Sequence, residues 1–260
     1  MSVEEGDLPD PIVARLRAAG CVFAEDEARL LRAAVDTPAE LDVLVARRVD
    51  GAPLETLLGW AEFCGLRIAV EPGVFVPRRR TAFLVELAAE LARPGAVVVD
   101  LCCGTGAVGA AVAAAVPGVE VFAADIEPAA VRCARCNLPP DHVYEGDLFA
   151  ALPTALRGEV DLLVVNAPYV PTDAIATMPP EARDHEPRRA LDGGADGLDV
   201  QRRVAAEAPT WLRPGGALLI ETGADQAPRT AAAFTAAGLT PRVAHSEELY
   251  ATVVVGLRSP

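Results

Sequence analysis

The sequence predicts an α/β protein built on a doubly wound, mostly parallel sheet, and three observations support this prediction. Between residues 97 and 222, short β-branched runs alternate with helical segments, the pattern that gives parallel strands joined by right-handed crossovers. Residues 1–60 carry apolar positions at helical spacing, which predicts a small N-terminal helical lobe. The last two apolar runs, Leu239–His245 and Ala251–Leu257, are joined by a short turn and predict a C-terminal antiparallel hairpin.

The N-terminal lobe is expected to contain helices over Pro11–Ala19, Asp26–Val35, Thr37–Val49 and, more briefly, Pro53–Leu58. The third has the clearest start, because Thr37 is an N-cap residue, Pro38 suits the first turn, and Glu40 completes a capping box. Alternating residues around 62–70 predict a hairpin. The segment 61–76 is therefore predicted to link the lobe at 1–60 to a main domain at 77–260.

Within the main domain, a helix over about Thr81–Ala92 precedes five predicted strands. These are Val97–Leu101, Val119–Ala124, His142–Tyr144, Val160–Asn166 and Ala217–Thr222. The carboxyl ends of such strands form the edge of an open α/β sheet at which ligands bind. Functional residues are therefore expected among the residues that follow each strand.

Composition and charge exclude several classes of function. The chain has 260 residues, a formal charge of −14 and no lysine, so its field opposes polyphosphate backbones and predicts no stable nucleic-acid binding. No apolar stretch is long enough to cross a bilayer, which predicts no membrane association. The acidic start, Met1–Asp7, lacks the basic region of a signal peptide, and a cytoplasmic location is expected.

The first group of chemistry-bearing residues follows the first strand of the main domain. Asp100 lies near its end, and Cys102-Cys103-Gly104-Thr105-Gly106 forms a glycine-containing turn into a helix, where backbone can approach a nucleotide closely. Asp125 lies at the end of the second strand, where a carboxylate can accept hydrogen bonds from both ribose hydroxyls. NAD-binding folds use the same arrangement. Asp100, however, would repel a pyrophosphate and attract a methionine ammonium, which favours S-adenosylmethionine over NAD.

The third and fourth strands are also followed by candidate ligand residues. After the third strand, Asp147 could accept from an adenine amino group with Leu148 against the ring, although an acid at this position could equally cap the next helix. After the fourth strand comes Asn166-Ala167-Pro168-Tyr169. The Asn166 side-chain oxygen and the Ala167 carbonyl could hold a planar NH₂ group and direct its nitrogen at a methyl donor. Catalysis would then consist mainly of orientation and desolvation.

The cysteines offer one further motif, which we interpret as structural. Cys133 and Cys136 form a CxxC, but a zinc site needs a second ligand pair at matching spacing, and the sequence has none. Three-residue spacing instead makes them neighbours on a helix. No metal is therefore predicted.

Several segments together resemble the protein-(glutamine-N5) methyltransferases, the family that modifies a glutamine in peptide-chain release factors or in a ribosomal protein. The segment Pro53–Leu66 resembles the family's interlobe region, and Glu71–Arg78 resembles the run into its Pro-Arg-Pro-Glu-Thr loop. The segment Arg183–Leu198 is close to the family's post-catalytic region, and Asn166–Tyr169 corresponds to its Asn-Pro-Pro-Tyr motif. The resemblance covers nearly the whole chain and identifies it as a divergent member.

The resemblance implies a class I methyltransferase fold, Rossmann-like, with S-adenosylmethionine as cofactor and a protein substrate that exposes a glutamine, such as a release factor. It implies cofactor contacts by Asp100, Cys102, Cys103, Gly104, Thr105, Gly106, Asp125, Ile126, Asp147, Leu148 and Asn166. It implies a catalytic glutamine slot formed by Asn166, Ala167, Pro168 and Tyr169.

The chain departs from the family pattern at three places. Ala167 replaces a proline, which should make the motif less rigid. Arg79 and Arg80 replace the proline and glutamate of the Pro-Arg-Pro-Glu-Thr loop, which should make the entrance more positive, and Cys102-Cys103 replaces a common Gly-Thr. Two alternatives therefore stay open beside glutamine methylation. One is an amino methyltransferase for a nucleobase or small molecule, and the other is a catalytically impaired protein that binds cofactor and a partner.

Overall fold

The computed structural model describes residues 10–260, so the acidic start Met1–Asp7 lies outside the described residues. The N-terminal lobe comprises α1 (Pro11–Ala18), α2 (Ala24–Ala33), α3 (Pro38–Val49) and α4 (Leu54–Leu58). Thr37 and Glu40 form the predicted capping box at the start of α3. These helices bury their own apolar cluster around Leu16, Leu31 and Val45.

A two-stranded antiparallel hairpin follows the lobe, with β1 at Trp60–Phe63 and β2 at Leu66–Ala69. The remaining elements are α5 (Ala82–Leu91), β3 (Val97–Leu101), α6 (Ala107–Ala115), β4 (Glu120–Asp125), α7 (Pro128–Asn137), β5 (Val143–Glu145), β6 (Val160–Val165), α8 (Pro180–His185), α9 (Arg188–Leu191), α10 (Asp199–Trp211), β7 (Leu212–Glu221), α11 (Ala227–Ala236), β8 (Leu239–Ser246) and β9 (Ala251–Arg258).

The main sheet has seven strands in the order β5-β4-β3-β6-β7-β9-β8. Strands β3 to β7 are parallel, and β9 pairs antiparallel with both β7 and β8. The predicted doubly wound α/β fold with a C-terminal antiparallel hairpin is thus confirmed. The hairpin enters the sheet with its second strand inside, so that β9 and not β8 contacts the parallel strands.

The two faces of the sheet form two separate apolar cores. Alternate residues of each strand point to opposite faces, so Val98 belongs to one core and Val99 to the other. Helices α5, α6 and α7 cover the first face, and α10 and α11 cover the second. Because both faces are covered, strand β6 is buried along its whole length, as expected for a central parallel strand.

Strand β7 begins five residues earlier than the sequence pattern predicts. Leu212 pairs with Val160, and the pairing then shifts before it resumes at Ala217 opposite Leu162. The residues between them include Pro214-Gly215-Gly216, a combination typical of a turn. The bulge that they form could not be recognised from alternation, because an irregular pairing breaks the period of two.

The N-terminal lobe is attached to the main domain through a buried arginine. Arg48 of α3 forms an ion pair with Glu27 of α2 at 2.6 Å and reaches Glu181 of α8 at 3.3 Å. The Arg48–Glu27 pair lies within the lobe, and the Glu181 side chain is partly exposed, so the contact with α8 is expected to contribute less than the pair within the lobe. Among residues 10–260, no helix combines the length and the apolar character that crossing a bilayer requires.

Candidate active site

The carboxyl ends of β3, β4 and β6 and the loop after β5 surround a cavity of about 430 Å³. Its walls include nearly all of the residues predicted from sequence: Asp100, Cys102, Cys103, Gly104, Thr105, Asp125, Ile126, Asp147, Leu148, Asn166, Ala167, Pro168 and Tyr169. A volume in the range of small-molecule sites and this concentration of polar groups at strand ends are typical of a ligand site in an open α/β sheet.

Gly106 is the one predicted residue that does not line the cavity. It adopts a left-handed conformation at the start of α6, with φ +75°. An added Cβ would lie 2.9 Å from Leu138 Cδ1 at the end of α7, and the positive φ would strain any other residue. Gly106 therefore allows the turn and the close packing of α6 and α7, and its contact with a cofactor stays a prediction.

The turn between β3 and α6 is held by the carboxylate at the end of β4. Asp125 Oδ2 accepts a hydrogen bond from the Gly104 backbone N–H at 2.9 Å, and Oδ1 accepts from the Glu127 N–H at the same distance. Cys102 has φ +57°, an unfavourable conformation for a non-glycine residue that persists only where surrounding structure imposes it. Asp125 therefore shapes the turn as well as facing the cavity.

Asp100 contributes a buried carboxylate beneath the same turn. Its side chain is 2% exposed, and Oδ2 accepts from the Gly109 N–H at 2.9 Å. Desolvation raises the pKa of Asp100 to about 7, although the Gly109 hydrogen bond opposes the shift. A group with this pKa changes charge near neutral pH, at a position that lines the cavity.

Asp100→Asn is expected to flatten the dependence of stability on pH. Because the folded-state pKa is raised from 3.8 to about 7, the stabilisation associated with the bound proton is complete below about pH 4 and is lost as pH rises through 7. At 1.36 kcal/mol per pKa unit the loss is at most about 4 kcal/mol. Asparagine keeps the acceptor for Gly109 without ionising. Melting temperatures measured at pH 5 and pH 8 should therefore differ less for the variant than for the parent. An equal fall in melting temperature between these pH values in both proteins would contradict this account.

Three further predicted residues lie beyond the ends of β4 and β5. Asp147 forms an ion pair with Arg203 of α10 at 2.7 Å, and Leu148 has φ +49° and is buried. Ile126 is partly exposed at the rim, with 41% of its surface accessible. The two apolar side chains and the intervening carboxylates give this half of the cavity the character expected of a nucleoside site.

The Asn166–Tyr169 turn follows β6 directly and lines the same cavity. Asn166 Nδ2 donates to Thr81 Oγ1 at 3.3 Å, which leaves Oδ1 as the acceptor of this side chain. Thr81 is buried, so the contact fixes the amide from the side of the loop that enters α5. Ala167 is 1% exposed and is surrounded by protein.

The segment after α9 supports this turn through glycines whose role the sequence did not reveal. An added Cβ at Gly193 would lie 2.7 Å from the Pro168 carbonyl oxygen, and one at Gly197 would collide with the Tyr169 carbonyl. Gln226 Nε2 also donates to the Tyr169 carbonyl at 2.9 Å. The replacement of proline by Ala167 was expected to make the turn less rigid. Packing of a distant segment against the backbone of the turn opposes this effect.

Of the two arginines that were expected to make the entrance more positive, Arg80 is paired with a buried acid and Arg79 is not. Arg78 pairs with Glu186 at 2.6 Å, and Arg80 pairs with Glu221 at 3.3 Å. Arg79 is exposed and forms no ion pair with residues 10–260. From the sequence, Glu221 is interpreted as an ordinary loop acid, and only its position at the end of β7 indicates that it lies near the site. Its partners Arg80 and Tyr169 are distant in the sequence, so their contacts with Glu221 could not be predicted.

Cys133 and Cys136 lie on one side of α7 but have different surroundings. Cys133 is fully buried beside Val74 and Ala130, and its thiol donates to the Ala69 carbonyl at 3.2 Å. Cys136 is exposed. Burial raises the pKa of Cys133 to about 11, which keeps it a neutral packing residue.

Comparisons with known proteins agree with this geometry. The family model described as Methyltransferase small domain matches residues 65–180. Release factor glutamine methyltransferase of Mycolicibacterium smegmatis is 41% identical over 245 residues, 85% of each chain. The protein of the same name from Geobacter sulfurreducens is 40% identical over 199 residues, 75% of this chain and 69% of the relative. A methyltransferase structure from Pyrococcus furiosus, 16% identical, superimposes with a TM-score of 0.57 over 75% of this chain and 90% of its own.

The seven-stranded sheet with its inserted hairpin, and the cavity at its carboxyl edge, define a class I methyltransferase with a Rossmann-like fold. The sequence identity to the two relatives described above exceeds 30% over most of the chain and therefore also shows its family. The chain belongs to the release factor glutamine methyltransferase family. The resemblance noted from the sequence is therefore confirmed.

Proposed function

We propose that this chain binds S-adenosylmethionine in the cavity and transfers its methyl group to the side-chain amide nitrogen of a glutamine in a peptide-chain release factor. The observation that carries the proposal is that the Asn166–Tyr169 turn lines the same cavity as Gly104 and Asp125. A group that can hold an amide and a site that suits a nucleoside are therefore adjacent. Transfer requires this proximity, because the donor and acceptor atoms must lie within a few ångströms of each other.

The side chains of the cavity fit S-adenosylmethionine. Asp100, Asp125 and Asp147 all line the cavity, and these acids suit a ligand that carries an ammonium and a sulfonium and would repel a pyrophosphate. Ile126 and Leu148 offer apolar surface for an adenine ring. When bound, the cofactor supplies an electrophilic methyl group.

The chain's own residues would act by orienting the acceptor amide. Asn166 Oδ1 and the Ala167 carbonyl accept from the two N–H bonds of the glutamine side chain and so direct its nitrogen. Thr81 holds the Asn166 amide in the orientation that this requires. An amide nitrogen is a weak nucleophile, so positioning and exclusion of water supply most of the catalysis. The methylated nitrogen becomes acidic and then loses its proton without a strong base.

The class of substrate follows from the relatives and from charge. Proteins 35–42% identical to this chain are named release factor glutamine methyltransferases. A formal charge of −14 disfavours a nucleic-acid substrate, although the turn could hold the amino group of a nucleobase. With a release factor as partner, the reaction takes place in the cytoplasm, where translation terminates.

Labelled methyl transfer tests this function directly. The chain is incubated with methyl-labelled S-adenosylmethionine and a purified release factor, and in parallel with a host lysate. We expect one labelled glutamine in the release factor, located by peptide mass spectrometry, and no label when that glutamine is replaced by alanine. Label in DNA or small molecules would favour the amino methyltransferase alternative. Cofactor binding by calorimetry without transfer to any protein would favour the impaired alternative.

A further inference from the structure

Tyr169, at the end of the proposed glutamine slot, is held by a buried acid from another strand. Its hydroxyl donates to Glu221 Oε1 at 3.1 Å, and Arg80 Nε lies 3.3 Å from the same oxygen. The Arg80 guanidinium carbon also lies 5.6 Å from the centre of the Tyr169 ring. One arginine therefore contacts both the ring and the acceptor of its hydroxyl.

Glu221 depends on Arg80 for its charge balance. Its side chain is 2% exposed, and Oε2 has no hydrogen-bond partner among residues 10–260. Within the same range, Arg80 is the only basic side chain at ion-pair distance from Glu221. An ionised carboxylate that is buried without a cation is strongly unfavourable, so Arg80 stabilises the carboxylate of Glu221 at this position.

Tyr169 acts as a hydrogen-bond donor in this arrangement. Burial, followed by the nearby Glu221 carboxylate, raises the pKa of Tyr169 above its ordinary range, so the hydroxyl keeps its proton. A phenol that donates to a carboxylate makes a charge-assisted bond, stronger than a neutral one. Loss of the charge on Glu221 would therefore loosen the ring at the slot.

We propose that Arg80 is a positioning residue that fixes Tyr169 in the substrate slot by neutralising buried Glu221. The proposal rests on the proposed function, because it concerns the slot in which the glutamine is held. It also gives a role to the second departure of this chain from the family pattern, where an arginine occupies a position at which the family motif has an acid. Arg80 stands on the substrate side of the cavity, so cofactor affinity should not depend on it.

A double-substitution cycle measures the coupling between Arg80 and Glu221. Arg80→Met is expected to lower kcat/KM for the protein substrate about tenfold and to leave the cofactor Kd unchanged. A tenfold change corresponds to an interaction energy typical of charged residues in contact. In a Glu221→Gln background, where no buried charge needs Arg80, the same substitution should have little effect. Arg79→Met, at the exposed neighbour that forms no ion pair within residues 10–260, is the matched control and should retain full activity. An equal loss in both backgrounds, or the same loss in Arg79→Met, would overturn the proposal.

A second measurement does not require activity. The chain has three tyrosines, so incorporation of 3-fluorotyrosine gives three fluorine resonances, and Tyr169→Phe identifies the relevant one. We expect Arg80→Met to shift or broaden the Tyr169 resonance, Arg80→Lys to restore it in part, and Arg79→Met to leave it in place. The exposed Tyr250 serves as an internal reference. A Tyr169 resonance unchanged in Arg80→Met would overturn the proposal, even if the release factor proved to be the wrong substrate.

Discussion

Asn166→Ala is expected to reduce methyl transfer by about 100-fold or more, since small errors in the placement of a reacting group have effects of this order. The substitution removes the side-chain oxygen proposed to accept from the substrate amide, and it also removes the contact with Thr81. Cofactor affinity should remain largely intact, because the carboxylates of the nucleoside half are untouched. Initial rates with labelled cofactor, together with calorimetric binding, separate the two effects.

Thr81→Val provides a graded companion to Asn166→Ala. Valine has nearly the shape of threonine but cannot accept from Asn166 Nδ2, so the amide keeps its place and loses its fixed orientation. We expect a smaller loss of turnover than in Asn166→Ala, again with cofactor affinity retained. Unchanged turnover in Asn166→Ala would exclude the orienting role, and a loss confined to cofactor affinity would move the residue to the cofactor site.

Asp125→Ala is expected to weaken cofactor affinity by about 1–3 kcal/mol, the range for hydrogen bonds to a charged group. Two reasons support a loss. The carboxylate is proposed to accept from the ribose hydroxyls, and its oxygens hold Gly104 and Glu127 through backbone hydrogen bonds of 2.9 Å. Calorimetric titration of the cofactor measures the change.

Asp161→Ala is the matched control for Asp125→Ala. Asp161 is also a buried acid that accepts a backbone hydrogen bond, from Val97 at 2.9 Å, but it lies at the amino end of β6, away from the cavity. Its replacement should lower the melting temperature and leave the cofactor Kd of the folded protein unchanged. Equal cofactor affinity in Asp125→Ala and the parent would remove Asp125 from the ribose site.

Much of the fold could be predicted because its signals are local. The capping box at Thr37 and Glu40, the β-branched run at 97–101 and the glycine turn that follows each lie within a few residues of chain. Parallel strands also place their carboxyl ends on one edge, so residues that follow different strands could be assigned to one site before any contact was known. Thirteen of the fourteen predicted site residues, Tyr169 included, line one cavity, while Gly106 faces helix α7.

What remained unpredicted depends on pairings between distant segments. The start of β7 at Leu212 follows from an irregular pairing with β6, and the inner position of β9 follows from which hairpin strand meets β7. The support of Tyr169 by Gly197 and Gln226 likewise joins segments far apart in the chain. None of these contacts produces a periodic pattern in the sequence, because each depends on how whole helices and strands pack against one another.

The sequence by itself therefore determined the class of fold, the kind of cofactor site expected and the position of the turn proposed to hold an amide, since hydrophobic periodicity and turn chemistry act over short stretches. Only the tertiary structure decided the electrostatic character of the entrance. Arg80, Tyr169 and Glu221 come from three separate segments and meet only once the sheet is assembled. Read alone, Arg79 and Arg80 predict added positive charge; in the fold, a buried carboxylate neutralises Arg80, because desolvation makes an unpaired acid at that position unfavourable.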